Sequence, residues 1–328
     1  MNRSFLYIPA AIALFAIGYF ISSVGDEEMV SIKRSRILMG TVIEIEVKGN
    51  DISLGELAII DAFNEIERIE NIFTTYKENS NIQWINQSRD TLISVNSEIY
   101  DLLMLSDSLW KISNGAFDIS LNNLIKTWDF ESINPTMPTK EQIEDALRQS
   151  GWRNIKLLNN NRFLRKAEVG LNLGAIAKGY AVDRAIEVVK EQGIKNVLIN
   201  AGGEIKSLGS DWIIGIRDPR NAEQIVESVN LGEMAIATSG DYEIFFEING
   251  KRYHHILKPS TGYPADSLIS VSVLNPSSTM ADALATAVFV LGPVRGLEFI
   301  ENIPNTEVLL IDKNNRKIFS EGFVKYMN

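Results

Sequence analysis

A carboxylate and a hydroxyl lie four residues apart near the C-terminus, in Asp282 and Thr286. The other residues between positions 280 and 287 are small or apolar, which predicts a largely buried helix on which positions i and i+4 share one face. Oxygen ligands suit a hard cation such as Mg²⁺, which usually keeps positions open for substrate phosphates. The pair therefore favours a magnesium site; the alternative is an Asp in a first helical turn and a Thr bonded back to its own helix.

A second candidate is the glycine-containing segment at residues 173–183. Gly174 and Ala175 leave the backbone accessible where a helix is predicted to begin, and amides exposed at such a position bind anions. Lys178 adds a mobile positive charge for phosphate or flavin oxygens. The order of residues is neither that of a Walker A loop nor G-x-G-x-x-G. A tight turn followed by a surface lysine is the alternative.

Three further motifs are weaker in isolation. His254 and His255 are neighbours in a predicted strand, so their side chains point in opposite directions and at most one faces a given site. His255 is suited to act as a general base near neutral pH, and the alternative is a hydrogen-bonded core histidine. The Gly202-Gly203 pair after a strand and Asp118 after a helix both fit either a turn or a ligand contact.

Composition excludes several classes of protein. The chain has 328 residues, 45% of them hydrophobic, a net charge of −10 and no Lys/Arg-rich run, which argues against nucleic-acid binding. It has no cysteine, which excludes disulfides, Cys-zinc sites, iron–sulfur clusters, thiol nucleophiles and a lipid-anchor cysteine. With only two histidines, any metal must be held mainly by oxygen.

The first 25 residues differ from the rest. Arg3 precedes an uncharged apolar run at residues 5–24, and acidic residues 26–28 follow. This pattern predicts a signal peptide or an uncleaved membrane-anchor helix, with a buried core helix as the alternative. The charge distribution places the remainder outside the cytoplasm.

After this segment, apolar periodicity predicts one compact α+β domain over residues 32–328, with packed helices and antiparallel sheets. Residues 31–36 resemble a basic link. Ser97 and Thr139 are predicted helix caps, and Asn249-Gly250 is a hairpin turn. The predicted helices cover residues 57–73, 97–112, 139–149, 175–192 and 280–291. The predicted strands cover residues 41–47, 155–158, 162–166, 196–200, 212–217, 242–248, 251–257 and 269–274.

In this order and at these separations, the motifs resemble the ApbE family of FAD:protein FMN transferases. The resemblance extends from about residue 38 to about residue 292. The matching stretches are residues 39–41, 73–76 with 79–80, 115–118, 173–183, 200–204, 236–242, 254–262 and 281–291.

The resemblance implies a T-fold-like catalytic domain that uses FAD and Mg²⁺. Such enzymes transfer the FMN half of FAD to a threonine or serine hydroxyl of an acceptor protein and release AMP. The acceptor is expected to be a redox-pump subunit or an extracytoplasmic reductase. The enzyme is expected on the extracytoplasmic face of the bacterial inner membrane, or in the periplasm if its N-terminal segment is cleaved.

The resemblance also implies roles for particular residues. Asp282, Thr286 and the backbone oxygen of Ala175 resemble the ligands of Mg²⁺. His255 resembles the base that deprotonates the acceptor hydroxyl, with Asp282 as the second catalytic residue. The positions that resemble FAD contacts are Met39, Tyr76, Ala116, Phe117, Asp118, Asn172, Lys178, Ser239, Gly240 and His255.

Two other functions are compatible with the same residues. One is a Mg²⁺-dependent FAD pyrophosphatase that produces FMN and AMP. The other is an exported flavin-binding protein without activity, which is favoured by Asn172 and Lys258, because the family often has Asp at these two positions. The intact Asp282/Thr286 pair favours an enzyme, since storage of a flavin needs no metal.

Overall fold

The protein is built from fifteen strands and eight α-helices over residues 29–209 and 212–328, which the computed structural model describes. The strands are β1 (Val30–Leu38), β2 (Thr41–Gly49), β3 (Leu92–Ser94), β4 (Ile155–Leu158), β5 (Arg162–Arg165), β6 (Val197–Ala201), β7 (Glu204–Leu208), β8 (Ile213–Arg217), β9 (Ile225–Asn230), β10 (Ala235–Gly240), β11 (Phe245–Ile248), β12 (Lys251–His254), β13 (Leu268–Asn275), β14 (Glu307–Asp312) and β15 (Lys317–Phe319). The helices are α1 (Ile52–Phe73), α2 (Asn81–Gln87), α3 (Ser97–Ile112), α4 (Asn122–Trp128), α5 (Lys140–Arg148), α6 (Ala177–Glu191), α7 (Ser278–Leu291) and α8 (Pro293–Glu301).

The central element is an eight-stranded sheet in the order β1-β2-β6-β7-β10-β13-β14-β15. Its two faces are covered by different layers, as the alternation of side chains along β14 shows. Val308 and Leu310 face the main core with α1, α6 and α7, whereas Leu309 faces a second core with the β8–β9 ribbon. All pairings within the sheet are antiparallel, which confirms the α+β prediction.

Helix α7 lies in the middle of the main core. It is apolar on nearly every side, which is the pattern of a helix covered all round. Ala281, Ala283, Leu284 and Ala285 are fully buried, and Asp282 among them is only 4% exposed. A carboxylate in this position has to be compensated by nearby donors or cations.

Most predicted elements are confirmed, including β4 over residues 155–158 and the capping box of Thr139 and Gln142 that begins α5. The Asn249-Gly250 turn is also present, with φ values of +52° and +75°. The predicted basic link at residues 31–36 is wrong, because these residues belong to β1. That strand lies at the sheet edge, where exposed lysine and arginine side chains are tolerated. The cap of α3 is Asn96 rather than Ser97.

The predicted signal or anchor segment, residues 1–25, lies outside the described residues. Among the helices of residues 29–209 and 212–328, none combines the length and the apolar character needed to cross a bilayer.

Candidate active site

A cleft of about 580 Å³ opens at one end of the large sheet. Its walls come from two hairpin turns, from the β8 strand and from the segment after β10, and Lys178 at the start of α6 also lines it. The cleft is therefore assembled from segments that are far apart in the chain. The lining residues are Met39, Gly40, Thr41, Lys178, Asn200, Gly202, Gly203, Ile205, Ile214, Gly215, Ile216, Arg217, Ile236, Thr238, Tyr242, Glu243 and Ile244.

The two hairpin turns that form the cleft wall need unusual backbone conformations. Met39 and Gly40 join β1 to β2 with φ values of +52° and +73°, in the left-handed region that a two-residue hairpin turn requires. The conformation is uncommon for methionine, and it places Met39 in the cleft. A Cβ atom on Gly202 in the β6–β7 turn would lie 2.3 Å from Thr41 Oγ1, so only glycine lets the two turns pack together.

Lys178, which lines the cleft, forms an ion pair with the buried carboxylate of Glu204. Its Nζ donates to both carboxylate oxygens of Glu204 at 2.7 Å, and Glu204 is 3% exposed. Burial lowers the pKa of Lys178, but Glu204, Asp282 and Glu243 outweigh that effect and raise the pKa above its ordinary value. The lysine therefore carries its positive charge at neutral pH and remains next to any ligand in the cleft.

Asp282 is held by the first turn of α6. Its Oδ2 accepts a hydrogen bond of 2.9 Å from the amide of Gly179, one of the helix N-terminal amides that lack a partner within their own helix. Burial, followed by the charge of Glu204, raises the pKa of Asp282 to about 8, and Lys178 only partly opposes this shift. The carboxylate would consequently be stabilised by a further cation.

Further candidate oxygen ligands lie on α7 itself and on the segment that begins α6. Thr286 is one turn further along α7, and its Oγ1 is 3.4 Å from Ser239 Oγ on β10. Ala175 lies just before α6, four residues ahead of Gly179. The amide of Gly179 donates to Asp282 and not to the Ala175 carbonyl. The described parts of the chain hold no group of three His, Cys, Asp or Glu residues able to bind a metal. The carboxylate, hydroxyl and backbone oxygens nevertheless fit Mg²⁺, which takes oxygen ligands and leaves positions for substrate phosphates.

The two neighbouring histidines have different surroundings. The predicted strand over residues 251–257 is too long, because β12 ends at His254 and His255 follows it. His254 is 4% exposed, donates from Nε2 to the Ala265 carbonyl at 2.6 Å and packs edge-on against Phe289. His255 is half-buried beside the cleft, and its Nδ1 lies 3.2 Å from the Ile244 carbonyl. Because a carbonyl only accepts, Nδ1 of His255 carries the proton and Nε2 has the free lone pair. Burial lowers the pKa of His255 to about 4, so the ring is neutral at pH 7.

A smaller cavity of about 200 Å³ lies at the segment that contains Asp118. The Asp118 carboxylate accepts hydrogen bonds from the Ser120 amide at 2.8 Å and the Trp152 amide at 3.0 Å, while burial raises its pKa. Phe117 is fully buried in the main core, so any contact that it makes with a ligand comes from its backbone. Ala116 is 8% exposed beside it.

Asn172, Gly240 and Tyr76 are not among the residues that line the cleft. Asn172 shapes the approach to α6, since its Oδ1 accepts from the Gly174 amide at 2.9 Å. Gly240 is buried, and a Cβ atom there would lie 2.3 Å from the Tyr242 ring. Tyr76 is 76% exposed, hydrogen-bonds to Glu131 at 3.2 Å and does not line the cleft. Among the positions that resemble FAD contacts, Met39 and Lys178 line the cleft, and so does the Gly202-Gly203 pair.

Glu204, which pairs with a cleft residue, and Arg217, which lines the cleft, do not stand out from the sequence. Glu204 follows the Gly202-Gly203 turn, but its pairing with Lys178 depends on how β7 packs against α6. Arg217 on β8 lines the cleft and places its guanidinium 5.3 Å from the centre of the Tyr242 ring. The only signal for Arg217 is the alternation of β8, in which Ile214 and Ile216 are buried and Arg217 is exposed.

An oxygen-rich cluster, a charged lysine and a neutral histidine beside one cleft are the groups that an enzyme uses to transfer a phosphorus-containing group. Comparison with known proteins agrees with this class. The model of the ApbE family matches residues 39–310, and the chain therefore belongs to the ApbE family. The family resemblance found in the sequence is confirmed.

Named relatives and solved structures cover most of the chain. A protein of Haemophilus influenzae named FAD:protein FMN transferase is 35% identical over 258 residues, which are 74% of this chain and 75% of the relative. One of the same name from Klebsiella pneumoniae is 30% identical over 291 residues, covering 87% and 90%. The ApbE protein of Thermotoga maritima superposes with a TM-score of 0.85 at 32% identity, covering 91% of this chain and 99% of that chain. The flavin transferase ApbE of Vibrio cholerae gives a TM-score of 0.83 at 27% identity, covering 91% and 100%.

Proposed function

We propose that this protein is a FAD:protein FMN transferase that attaches FMN to a threonine or serine hydroxyl of an acceptor protein and releases AMP. The observation that carries the proposal is the Asp282–Gly179 contact beside the Lys178–Glu204 pair, at a cleft in a chain whose curated relatives have this name. Asp282, Thr286 and the Ala175 carbonyl would hold Mg²⁺. When bound, Mg²⁺ supplies positive charge that offsets the charge of the pyrophosphate and of the departing AMP.

The proposed reaction exchanges the phosphoanhydride bond between the two halves of FAD for a phosphoester bond to the acceptor. The acceptor oxygen forms a bond to the phosphorus of the FMN half, the bridging P–O bond breaks, and its electron pair leaves with AMP. His255 takes the hydroxyl proton at Nε2, because its Nδ1 is committed to the Ile244 carbonyl. Lys178 keeps a fixed positive charge beside the reacting phosphates, since Glu204 holds its ammonium group in one position.

The two positions at which the chain departs from the family pattern are compatible with an active enzyme. Asn172 still accepts the Gly174 hydrogen bond that shapes the segment before α6. Lys258 forms an ion pair of 2.6 Å with Asp266, whose side chain is 80% exposed, so the lysine is compensated at the surface. Neither substitution removes the Asp282, Thr286 or His255 side chain.

We also place the enzyme on the extracytoplasmic side of the inner membrane, tethered or exported through the apolar run at residues 5–24. Its acceptor would be a redox-pump subunit or an extracytoplasmic reductase. Fractionation of cells that produce the full chain tests the location. Recovery in the cytoplasmic fraction would refute it.

Chromatography of the reaction products separates the transferase from its alternatives. The full chain is incubated with FAD and Mg²⁺, with and without an acceptor domain. We expect AMP to be released only when the acceptor is present and not when Mg²⁺ is chelated. Equal amounts of FMN and AMP without an acceptor would instead indicate a pyrophosphatase, and bound but unchanged FAD would indicate a flavin-binding protein.

A further inference from the structure

Asp183 on α6 is a buried carboxylate that the proposed reaction does not use. It lies near the beginning of α7, and its side chain is 14% exposed. Its Oδ1 accepts from the Ser278 amide at 2.9 Å, and its Oδ2 accepts from the Thr279 amide at 2.9 Å. The hydroxyls of Ser277 and Thr279 donate to the same Oδ2 at 2.7 Å and 2.6 Å.

These contacts satisfy amides at the start of α7 from outside the helix. The first amides of a helix have no partner within it and carry partial positive charge, so a carboxylate there is favourable. Lys206 on β7 adds an ion pair, with Nζ 2.7 Å from Asp183 Oδ1. Burial alone would raise the pKa of Asp183, but Lys206 and the donors of Thr279 lower it below its ordinary value.

Helices α6 and α7 therefore exchange carboxylate caps. Asp183 of α6 binds the first turn of α7, and Asp282 of α7 binds the Gly179 amide in the first turn of α6. Gly179 and Asp183 are four residues apart, as are Ser278 and Asp282, so the two contacts lie one turn apart on the facing sides of both helices. A slide of one helix along the other would break both contacts.

The packing between these contacts is tight. A Cβ atom on Gly179 would lie 2.3 Å from the Ser278 carbonyl oxygen, which is backbone and has little freedom to move. The close approach and the two carboxylate caps together determine where α7 lies relative to the segment that contains Ala175. The three proposed Mg²⁺ ligands lie on these two elements.

We infer that Asp183, held by Lys206, is a positioning residue that sets the spacing between Asp282 and Thr286 on α7 and the Ala175 carbonyl before α6. This inference rests on the proposed function, because it concerns the proposed metal ligands. Asp183 does not touch the metal or FAD; it acts through the position of α7. Groups that orient metal ligands typically change metal affinity by about 10- to 100-fold when they are mutated.

The test measures binding of Mn²⁺ to the full chain, with the electron paramagnetic resonance signal of Mn²⁺ as the readout. The measurement is made with and without ADP, which supplies a pyrophosphate group. Asp183→Asn has nearly the same volume but replaces one acceptor oxygen by an amide that cannot accept from Thr279. We expect Mn²⁺ affinity to fall by about 10-fold or more. Thr279→Val, which removes one hydrogen-bond donor with little change in shape, should also lower Mn²⁺ affinity. Its effect and that of Asp183→Asn should not add in the double variant, because both act through one contact.

The matched control is Asp312→Asn. Asp312 is 3% exposed and accepts backbone hydrogen bonds of 2.9 Å from Asn314 and Arg316 in the β14–β15 turn, so its loss also removes a buried carboxylate. We expect this variant to have lower thermal stability but unchanged Mn²⁺ affinity, because the β14–β15 turn is not part of the α6–α7 contact. Rescue of the Asp183→Asn defect by high metal concentration would separate positioning from general damage.

The outcomes distinguish this inference from the proposed function. Wild-type protein that binds Mn²⁺, together with Asp183→Asn or Thr279→Val variants of unchanged affinity, would overturn the role of Asp183 and leave the metal site standing. Wild-type protein that binds no Mn²⁺ under either condition would overturn the proposed metal site and, with it, this inference. If Asp183→Asn does not fold, Thr279→Val alone decides the outcome.

Discussion

The carboxylate of Asp282 and the amide of Gly179 are joined by a hydrogen bond of 2.9 Å between two helices that are about 100 residues apart in the chain. The bond ties the proposed metal ligand on α7 to the helix start that carries Lys178. It also explains why a carboxylate is tolerated in the most apolar helix of the core, since the amide offers one of the few donors there. Burial and the charge of Glu204 raise the pKa of Asp282 more than this contact lowers it.

Replacing Asp282 by Asn should remove transfer while strengthening the metal-free fold. Burial raises the pKa of Asp282 to about 8, so the folded state binds this proton more tightly than the unfolded chain does. Metal-free wild-type protein therefore loses stability as pH rises from the unfolded value of about 4 towards 8. We expect Asp282→Asn to have a higher Tm than wild type, by a margin that grows between pH 5 and 8, and transfer reduced by about 100-fold or more.

Thermal unfolding of both proteins in chelator measures the first effect, and AMP release with Mg²⁺ measures the second. A Tm difference that stays constant between pH 5 and 8 would contradict the assignment of the raised pKa to Asp282. Wild-type rates of AMP release in the variant would remove Asp282 from the mechanism.

The neighbouring histidines offer a matched pair of substitutions. His255→Ala should slow transfer by about 100-fold or more with little change in FAD affinity, because the proton acceptor is lost. His254→Ala should instead destabilise the fold by about 2–4 kcal/mol, since the ring is buried, hydrogen-bonded and packed on Phe289. Single-turnover transfer and denaturant unfolding of both variants check the contrast. The reverse pattern would assign the base to His254.

The fall in transfer rate at low pH should follow the protonation of His255. Because burial lowers its pKa to about 4, the ring stays neutral and able to accept a proton throughout pH 5 to 8. The rate should consequently fall only as pH approaches about 4, and this decline should disappear in His255→Ala. A decline centred near pH 6.5 that is lost in the variant would show that the histidine is solvated like an ordinary one.

Gly179→Ala tests the close contact between α6 and α7. Its Cβ atom would meet the Ser278 carbonyl oxygen at 2.3 Å, so the helices must separate, at an expected cost of about 1–3 kcal/mol together with loss of transfer. Gly55→Ala in α1 is the control, because there the nearest atom is the side-chain end of Ile32 at 2.9 Å. The control should change stability by less than about 1 kcal/mol. Equal effects in denaturant unfolding would refute the special role of Gly179.

The Lys178–Glu204 pair should be strongly coupled. Glu204→Leu leaves a largely buried ammonium group without its partner and should cost about 3 kcal/mol or more. Adding Lys178→Met should recover much of that stability, while transfer stays abolished because the cleft has lost its cation. Unfolding free energies of the two single variants and the double variant measure the coupling. Additive effects would show that the pair is weakly coupled in solution.

Local structure can be predicted from the sequence where it depends on residues close together in the chain. The Thr139 and Gln142 capping box, the Asn249-Gly250 turn and the short strand β4 depend on residues only a few positions apart. Strand β1 does not stand out in the sequence, because lysine and arginine side chains surround its single buried position, Ile32, and because edge strands tolerate charge. Its assignment depends on pairing with β2, which a local pattern does not reveal.

A site residue is predictable from the sequence only where its type is unusual for the local pattern in which it lies. Asp282 and Thr286 stand out as polar residues on an apolar helix. For the two histidines, the sequence indicates only that at most one faces a given site, and the choice of His255 comes from the family resemblance. The partners of these residues did not stand out. Asp183, Glu204 and Arg217 are ordinary charged residues until packing brings them against α7, Lys178 and the cleft, across sequence distances that no short motif spans.

Intact-protein mass spectrometry of an acceptor domain tests the central claim most directly. The acceptor is incubated with the full chain, FAD and Mg²⁺, beside a version whose acceptor threonine is replaced by valine. We predict a mass increase of one FMN less one water on the threonine form, none on the valine form, and none after chelation or with Asp282→Asn. A flavin adduct on the valine form, or one that forms with Asp282→Asn at the wild-type rate, would contradict this account.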